Sequence, residues 1–471
     1  MGSFGGGRVV ENSMAKGLAS IIIRTKNEEK WISHCLQNVF HQEYPPGFEV
    51  IIVDNRSTDN TRQLARRFPI KTIVDVDDFF PGKSLNTGIE HAGGEFIVCV
   101  SAHCVPKSNS WLARLLKNFI RESVAGVYGR QVPVTFSNPS DVRDMYITFG
   151  LDRRVQKKDT FFHNANSAIR RSVLDEYPFD EQVTNIEDRM WAKVVLDNGY
   201  EIVYEPGAEV YHHHGIHQTQ DIKRIKQTFM VLNEHEDFSV KDSLPDSMKP
   251  ENRSIACLVP IPQEISNIVD TKDLNTFFSE VKSSKFIKSV HILFDDPKLK
   301  EICDPFEFDL IQRPEKVNLS DVTLDMVLAW GLEEIEDNGF HSDIVIYTNP
   351  IYRYRPKGLF DELIYDICYK GLDTVFAGFV DYQNYWAYDE VKGYHQVGEG
   401  LLPRQQKHPI YKALFGLGCV STAHVIRQEK LIGETIGIIP VNDVKYTLKI
   451  NDQSSRSVIS MLHPEKTLID D

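Results

Sequence analysis

Three short apolar runs mark the first hundred residues, and each stops abruptly at polar ones. Ala19-Ser20-Ile21-Ile22-Ile23 ends in Arg24-Thr25-Lys26-Asn27-Glu28-Glu29, residues 48–53 end in Asp54-Asn55-Arg56-Ser57-Thr58-Asp59, and residues 95–100 end in Ser101-Ala102-His103-Cys104. Runs this short and rich in β-branched residues predict buried strands. Between the first two, Trp31, Ile32, Cys35, Leu36, Val39 and Phe40 fall at helical spacing, so residues 28–40 should form a helix packed on the sheet. Tyr44-Pro45-Pro46-Gly47 breaks it, and Ser57 to Thr61 supply a cap for a second helix reaching residue 68. Strands alternating with helices imply an open α/β sheet with a ligand crevice at its carboxyl edge.

The pattern resets further on. Residues 218–238 read as a charged helix, and 239–253, with Pro245 and Pro250 among charges and serines, as a linker. A fresh strand opens at 254–260, another at 289–296 ends in Asp295-Asp296, residues 322–337 have helical period, and 343–350 form a further strand. The expected layout is a Gly-rich leader at 1–17, an α/β domain at 18–238, the linker, a second α/β domain at 254–460 and a frayed tail at 461–471. A length of 471 residues suits two or three domains.

With 41% hydrophobic and 25% charged residues the chain has an ordinary globular composition, and its net charge of -14 argues against a nucleic-acid partner. No window is apolar enough to span a bilayer, and the N-terminus lacks a secretory pattern, so a cytoplasmic protein is expected, with room for peripheral contact at the inner face of a membrane. The seven cysteines are scattered without metal-type spacing and read as reduced core thiols.

Polar chemistry gathers at the strand ends. Asp54 stands where a carboxylate can accept from a base or ribose, or cap a turn. Pro81-Gly82-Lys83-Ser84 lacks the spacing of a phosphate-binding loop, yet Lys83 precedes a helix N-terminus, where backbone amides favour anions. Glu187 and Asp188 open a helix over 189–198, which can set one carboxylate in a cleft as a general base while the other braces; capping by both is the alternative.

Residues 21–29, 53–61, Gly82-Lys83-Ser84-Leu85-Asn86, Ala92-Gly93-Gly94-Glu95, His163-Asn164-Ala165-Asn166-Ser167-Ala168, Glu187-Asp188-Arg189-Met190-Trp191, 199–206 and His212-His213-His214-Gly215 occur in an order that resembles family 2 glycosyltransferases of the GT-A fold. The resemblance spans roughly 18–235. It implies a GT-A (nucleotide-diphospho-sugar transferase-like) domain in which Asp188 is the general base beside Glu187. It places Thr25, Asn27, Glu28, Asp54, Lys83, Asn86, Ser101, Ala102 and His103 on the nucleotide-sugar donor, with Asp54 at its base. Arg130, Asn164, Asn166 and Trp191 fall on the acceptor side, and a saccharide or lipid-linked saccharide is the implied acceptor.

One position departs from the family. Where it usually ends a strand with Asp-x-Asp, holding a divalent metal on the donor pyrophosphate, this chain has Ser101-Ala102-His103, a poor set for Mg²⁺. Two readings remain open. His103 with one of His212, His213 or His214, His213 foremost, holds a cation such as Mn²⁺, or Lys83, Arg130, Arg153, Arg154 or His103 itself faces the leaving phosphate without metal. Residues 140–158, polar and irregular, read as a lid or as an exposed charged segment.

The second half, through Arg313-Pro314-Glu315-Lys316-Val317, residues 343–355, Pro403-Arg404-Gln405, Tyr411 and Gly416-Leu417-Gly418, resembles cytidylyltransferases that make CMP-activated sugars. Its first loop, Ile261-Pro262-Gln263-Glu264-Ile265-Ser266-Asn267, has no Gly, Lys or Arg to cradle a triphosphate. An inactive nucleotidyltransferase-like domain is expected, assembling homo-oligomers or docking a partner. The leading expectation is an inverting glycosyltransferase, with transfer from a CMP-sugar, a bifunctional synthetase and transferase, or a non-catalytic sugar-binding scaffold as alternatives.

Overall fold

The computed structural model describes residues 17–450 except 78–79, 184–185, 214–243, 315–316, 318–321, 391–392 and 398–401. The expected helix over 218–238, His214, residues 239–243 of the linker, and the tail lie outside the described residues. The chain divides into two compact units, Met1–Ser247 and Met248–Asp471. Among the described residues no helix is long and apolar enough to cross a membrane.

In the first unit the strands are β1 (Ala19–Thr25), β2 (Phe48–Asp54), β3 (Thr72–Asp75), β4 (Phe96–Ser101), β5 (Cys104–Pro106), β6 (Val124–Val132), β7 (Arg154–Gln156), β8 (Asn166–Arg170) and β9 (Glu201–His212). They form one mixed sheet in the order β3-β2-β1-β4-β8-β6-β9-β5, with β7 on β9. The first four are mutually parallel, and β8 runs antiparallel between β4 and β6. The helices are α1 (Ile32–Phe40), α2 (Thr61–Ala65), α3 (Pro81–Glu90), α4 (Trp111–Leu116), α5 (Pro139–Thr148), α6 (Arg171–Glu176) and α7 (Glu187–Asp197).

Alternation along β1 explains why its run is apolar throughout. Ile21 and Ile23 enter one core with Leu36 and Val39 of α1, while Ile22 enters the core on the opposite face with Leu85 of α3 and Trp191 of α7. A strand covered on both faces cannot alternate apolar with polar. Each fully buried isoleucine contributes about 2 kcal/mol.

Several boundaries differ from expectation. The first helix starts at Ile32, not residue 28, because Glu28 and Glu29 are held in the loop, and the second begins at Thr61 because Asp54 captures Ser57. Residues 140–158 are not irregular. They hold most of α5 and all of β7, anchored by the fully buried Met145 and Phe149.

The second unit has β10 (Ile255–Ile261), β11 (Ser289–Phe294), β12 (Asp309–Gln312), β13 (Ile344–Tyr347), β14 (Thr374–Asp381), β15 (Tyr385–Asp389), β16 (Gly393–Val397), β17 (Ile410–Ala413), β18 (Cys419–Thr422) and β19 (Ile436–Val441). Its main sheet runs β12-β11-β10-β13-β18-β14-β17, with β19 parallel to β14. This repeats the first unit: four parallel strands in the order third, second, first, fourth, then an antiparallel strand, then one with a parallel partner. Two α/β units of one topology therefore stand in tandem. All seven cysteines are buried free thiols.

Candidate active site

The carboxyl ends of β1 and β2 are laced together by their own loops. Asn27, at a φ of 53°, accepts from the Thr58 amide at 2.8 Å, and its own amide donates to Ser57 Oγ at 2.9 Å. The Glu28 amide donates to Thr61 Oγ1, and Glu29 grips Asn60 and Asp59. Asp54 is wholly buried and accepts from the Ser57 amide (3.0 Å), Ser57 Oγ (2.6 Å) and Arg62 (3.2 Å). Its carboxylate shapes the turn through these three contacts. Asn27 is likewise a loop brace. Thr25, 4% exposed at the end of β1, leaves Oγ1 buried without a partner.

The acidic pair splits. Ile186, at a φ of 61°, turns the chain sharply into α7, and Glu187 points inward, where its Oε1 accepts from Arg24 at 3.2 Å. A buried carboxylate needs such a partner. Asp188 is half-buried and accepts from the backbone amides of Asn164 (3.1 Å) and Arg189 (2.8 Å). Burial raises its pKa above the ordinary carboxylate value, against the opposing pull of these amides and of Arg24 and Arg189. Asn164 serves both acids, since its Nδ2 also reaches Glu187 Oε1 at 3.5 Å. His163, beside it, is held neutral: burial, more than its charged neighbours, lowers its pKa to about 4. The Ala165 amide donates to His163 Nδ1 at 3.3 Å, so the ring proton sits on Nε2. Arg24 and His163 carry no role in the sequence reading; an arginine closing a buried strand was the available signal for the first.

At the end of β4, His103 Nδ1 meets Glu28 Oε1 at 2.7 Å, and its ring stacks on His212 with centroids 5.1 Å apart. His212 Nδ1 in turn meets Gln131 Oε1 at 2.6 Å. Each ring therefore has an oxygen behind its Nδ1, the arrangement that orients a metal-ligating imidazole. Strand pairing sets Cys104 opposite His212, and the His103, Cys104 and His212 ligand atoms lie within 4.8 Å of one another. Two imidazoles and a sulfur, with no carboxylate among them, suit borderline cations such as Mn²⁺ or Zn²⁺ better than Mg²⁺. Burial pushes the Cys104 thiol well above its usual value, so it would join only as a cation displaces its proton. His213, the expected second ligand, stacks on Trp31 at 5.5 Å and lies tilted against Phe136 at 5.2 Å.

The remaining expected residues divide. Lys83 is exposed in the first turn of α3, Ser101 is half-buried at the end of β4 and Ala102 is buried behind it. Asn86 clamps the backbone of Phe179 (2.9 and 3.3 Å). Arg130 pairs with Glu209 at 2.7 Å, Arg153 donates to Asn118, and Arg154 lies over the Tyr204 ring. Of the acceptor-side residues, Asn166 is fully buried, accepting from Trp111 Nε1 (2.8 Å) and donating to the carbonyls of Ala208 (2.9 Å) and Arg130 (3.1 Å). Trp191 is a core residue packed on Phe162 and donating to the Tyr177 carbonyl. Asn166→Ala is expected to lower stability by about 1–3 kcal/mol, because a buried indole N–H loses its acceptor. Urea unfolding checks this; unchanged stability with weakened acceptor binding would restore the acceptor role.

Residues 20–178 match the model described as Glycosyl transferase family 2. The first unit therefore carries a family 2 glycosyltransferase domain. Glycosyltransferase AglE of Haloferax volcanii is 27% identical over 195 residues, 39% of this chain and 63% of that protein. The O-antigen chain rhamnosyltransferase WbaN of Salmonella anatum is 27% identical over 203 residues, 41% of this chain and 64% of that protein. The chain thus spans a little under two thirds of either relative. Among solved structures, the mannosyltransferase PcManGT from Pyrobaculum calidifontis, in complex with GDP-Man and Mn²⁺, is 22% identical, covering 47% of this chain and 66% of that one at a TM-score of 0.37. The glycosyltransferase motifs thus lie together on one sheet edge: Arg24 ends β1, His103 follows β4, Asn164 precedes β8, and Asp188 opens α7.

Proposed function

We propose that the first unit is an inverting glycosyltransferase that moves a sugar from a nucleotide-sugar donor to a hydroxyl of a saccharide or lipid-linked saccharide. The observation that carries this reading is Asp188, a carboxylate of raised pKa, held by two backbone amides beside a neutralised Glu187–Arg24 pair. The acceptor oxygen attacks the anomeric carbon, the bond from that carbon to the phosphate oxygen breaks, and the electron pair leaves with the nucleotide. The acceptor proton passes to Asp188 Oδ, whose raised affinity for it favours the transfer. Glu187 is a positioning residue, and Asn164 holds both acids in place.

His103 and His212, backed by Glu28 and Gln131, are the residues that would hold a divalent cation, with Cys104 the third donor. When bound, such a cation neutralises charge growing on the leaving phosphate. Lys83, exposed in the first turn of α3, would add a positive charge for that phosphate. The second unit is read as a cytidylyltransferase-like body without synthetase activity. In support, the short helix Gln263–Ile268 follows β10 at once, and Arg355 is turned inward onto the carbonyls of Asn349 (2.5 Å) and Leu417 (3.0 Å). Arg313 is similarly committed to Asp295.

Thermal shift with UDP, GDP, dTDP, CDP and CMP, each with Mn²⁺ and with chelator, tests the reading. A ligand at 100 times its Kd stabilises by about 2.7 kcal/mol. One nucleoside diphosphate is expected to raise the melting temperature, and chelator to diminish the shift. No shift from any nucleotide would sink the donor-site assignment.

A further inference from the structure

Arg189 is the third residue of α7 and follows Asp188 directly. A cation in the first turn of a helix opposes the helix dipole, so the helix itself gains nothing from it. Its half-buried guanidinium lies over the Phe161 ring, 5.0 Å from the centroid. Phe161 in turn meets Tyr128 edge to face at 5.5 Å and lies 6.4 Å from the His163 ring. Burial dominates the pKa of both Asp188 and His163, and the Arg189 charge acts on each, so the guanidinium stands within electrostatic reach of the base and of the neutral ring beside it. Other arginines around the site are committed, Arg24 to Glu187 and the Pro81 carbonyl, and Arg130 to Glu209. Among the described residues the Arg189 side chain has neither a carboxylate nor a hydrogen-bond partner.

We propose that Arg189 holds an anionic group of the acceptor, a phosphate or a carboxylate, and so selects a charged acceptor over a neutral one. A guanidinium stacked on a ring has one face covered and its N–H edge open, and that planar edge matches two oxygens of a phosphate or carboxylate. The ring holds the guanidinium in place before the ligand arrives, so little side-chain freedom is lost on binding. Charge points the same way. Arg24 offsets Glu187, which leaves Asp188 as a negative charge in a chain of net charge -14, and an anionic acceptor approaches such a carboxylate only where a cation receives it. This inference rests on the glycosyltransferase reading in giving the anion to the acceptor: Asp188 takes the acceptor's proton, and its neighbour in the chain stands beside the same molecule, whereas the donor phosphate falls to His103 and His212.

Titration calorimetry on the full chain, with chelator and without donor nucleotide, tests the proposal. The probes are octyl glucuronide beside octyl glucoside, and octyl phospho-N-acetylglucosamine beside octyl N-acetylglucosaminide, so that one arm carries a carboxylate and the other a phosphodiester. At least one charged probe is expected to bind about tenfold more tightly than its uncharged counterpart. Arg189→Gln should erase that preference, and Arg189→Lys should restore part of it, because lysine keeps the charge but not the fork. Preference in the carboxylate arm would identify a sugar acid, and in the phosphodiester arm a lipid-linked phosphosugar. Neither donor nor turnover enters this measurement, so a chain that shows the preference but transfers nothing loses only the transferase reading, and one that transfers without preference loses only this site. Equal binding within both pairs overturns the proposal, as does a preference that survives Arg189→Gln. Weaker binding of a nucleoside diphosphate in Arg189→Gln, with the probes unaffected, would also overturn it and give the guanidinium to the donor.

Discussion

Asp188→Asn is expected to lower the transfer rate by about two to four orders of magnitude while the KM for donor stays near its wild-type value. The amide keeps the shape and one of the two backbone contacts, because the Asn164 and Arg189 amides donate to different oxygens and an NH2 cannot accept, and it cannot take the acceptor proton. The pH dependence follows from the direction of the shift. Asp188 must be ionised to act, and its pKa is raised by burial, so activity should climb with pH through a value above that of an ordinary aspartate. Stability runs the other way: between the unfolded and folded pKa the native state binds more protons, so this group's contribution declines as pH rises. Asp188→Asn removes that cost but loses one backbone acceptor, so its melting temperature should lose the pH dependence that this group gives the wild type. Steady-state kinetics with a pH series, together with calorimetric melting, provide the check; equal losses of rate and donor affinity would remove Asp188 from the role of base.

His103→Ala and His212→Ala are each expected to abolish the response of transfer and of melting temperature to Mn²⁺, because each ring supplies one of three ligand atoms within 4.8 Å of one another. Glu28→Gln keeps the ring but weakens the oxygen behind it, and should cost about 10–100-fold in metal affinity. His213→Ala is the contrast. It removes a ring from the stack on Trp31 and Phe136, so it should lower stability and spare the metal response. Titration calorimetry with Mn²⁺ distinguishes them. Loss of metal binding in His213→Ala but not in His212→Ala would return the assignment to the neighbouring histidine.

Much of the scaffold was legible because its signals are local. The apolar runs at 19–23, 48–53 and 95–100 became β1, β2 and β4, and the helical spacing of Ile32, Cys35, Leu36 and Val39 became α1. The second α/β unit announced itself through the same alternation. Strand β3 escaped notice because Thr72–Asp75 is only four residues long and half-buried.

Side-chain roles were less legible than positions. Asp54, Asn27, Asn86, Asn166 and Trp191 all sit within motifs that point to a ligand, yet each is held by the protein itself. A short polar side chain at a strand end satisfies a loop amide as readily as a substrate, and a motif records only where it stands.

Local residue chemistry, carried by composition and spacing, was enough to determine two α/β units, the strand ends where polar residues gather, and an acidic pair, Glu187 and Asp188, at the head of a helix. The directions in which Glu187 and Asp188, and His212 and His213, turn belonged to tertiary structure. Glu187 turns inward because Arg24, 163 residues away in sequence, waits there, and His212 faces His103 because β9 pairs with β5 in the register that sets it against Cys104. Neighbours in a strand or at a helix start point in different directions, and only the packing of distant segments decides which direction is the site.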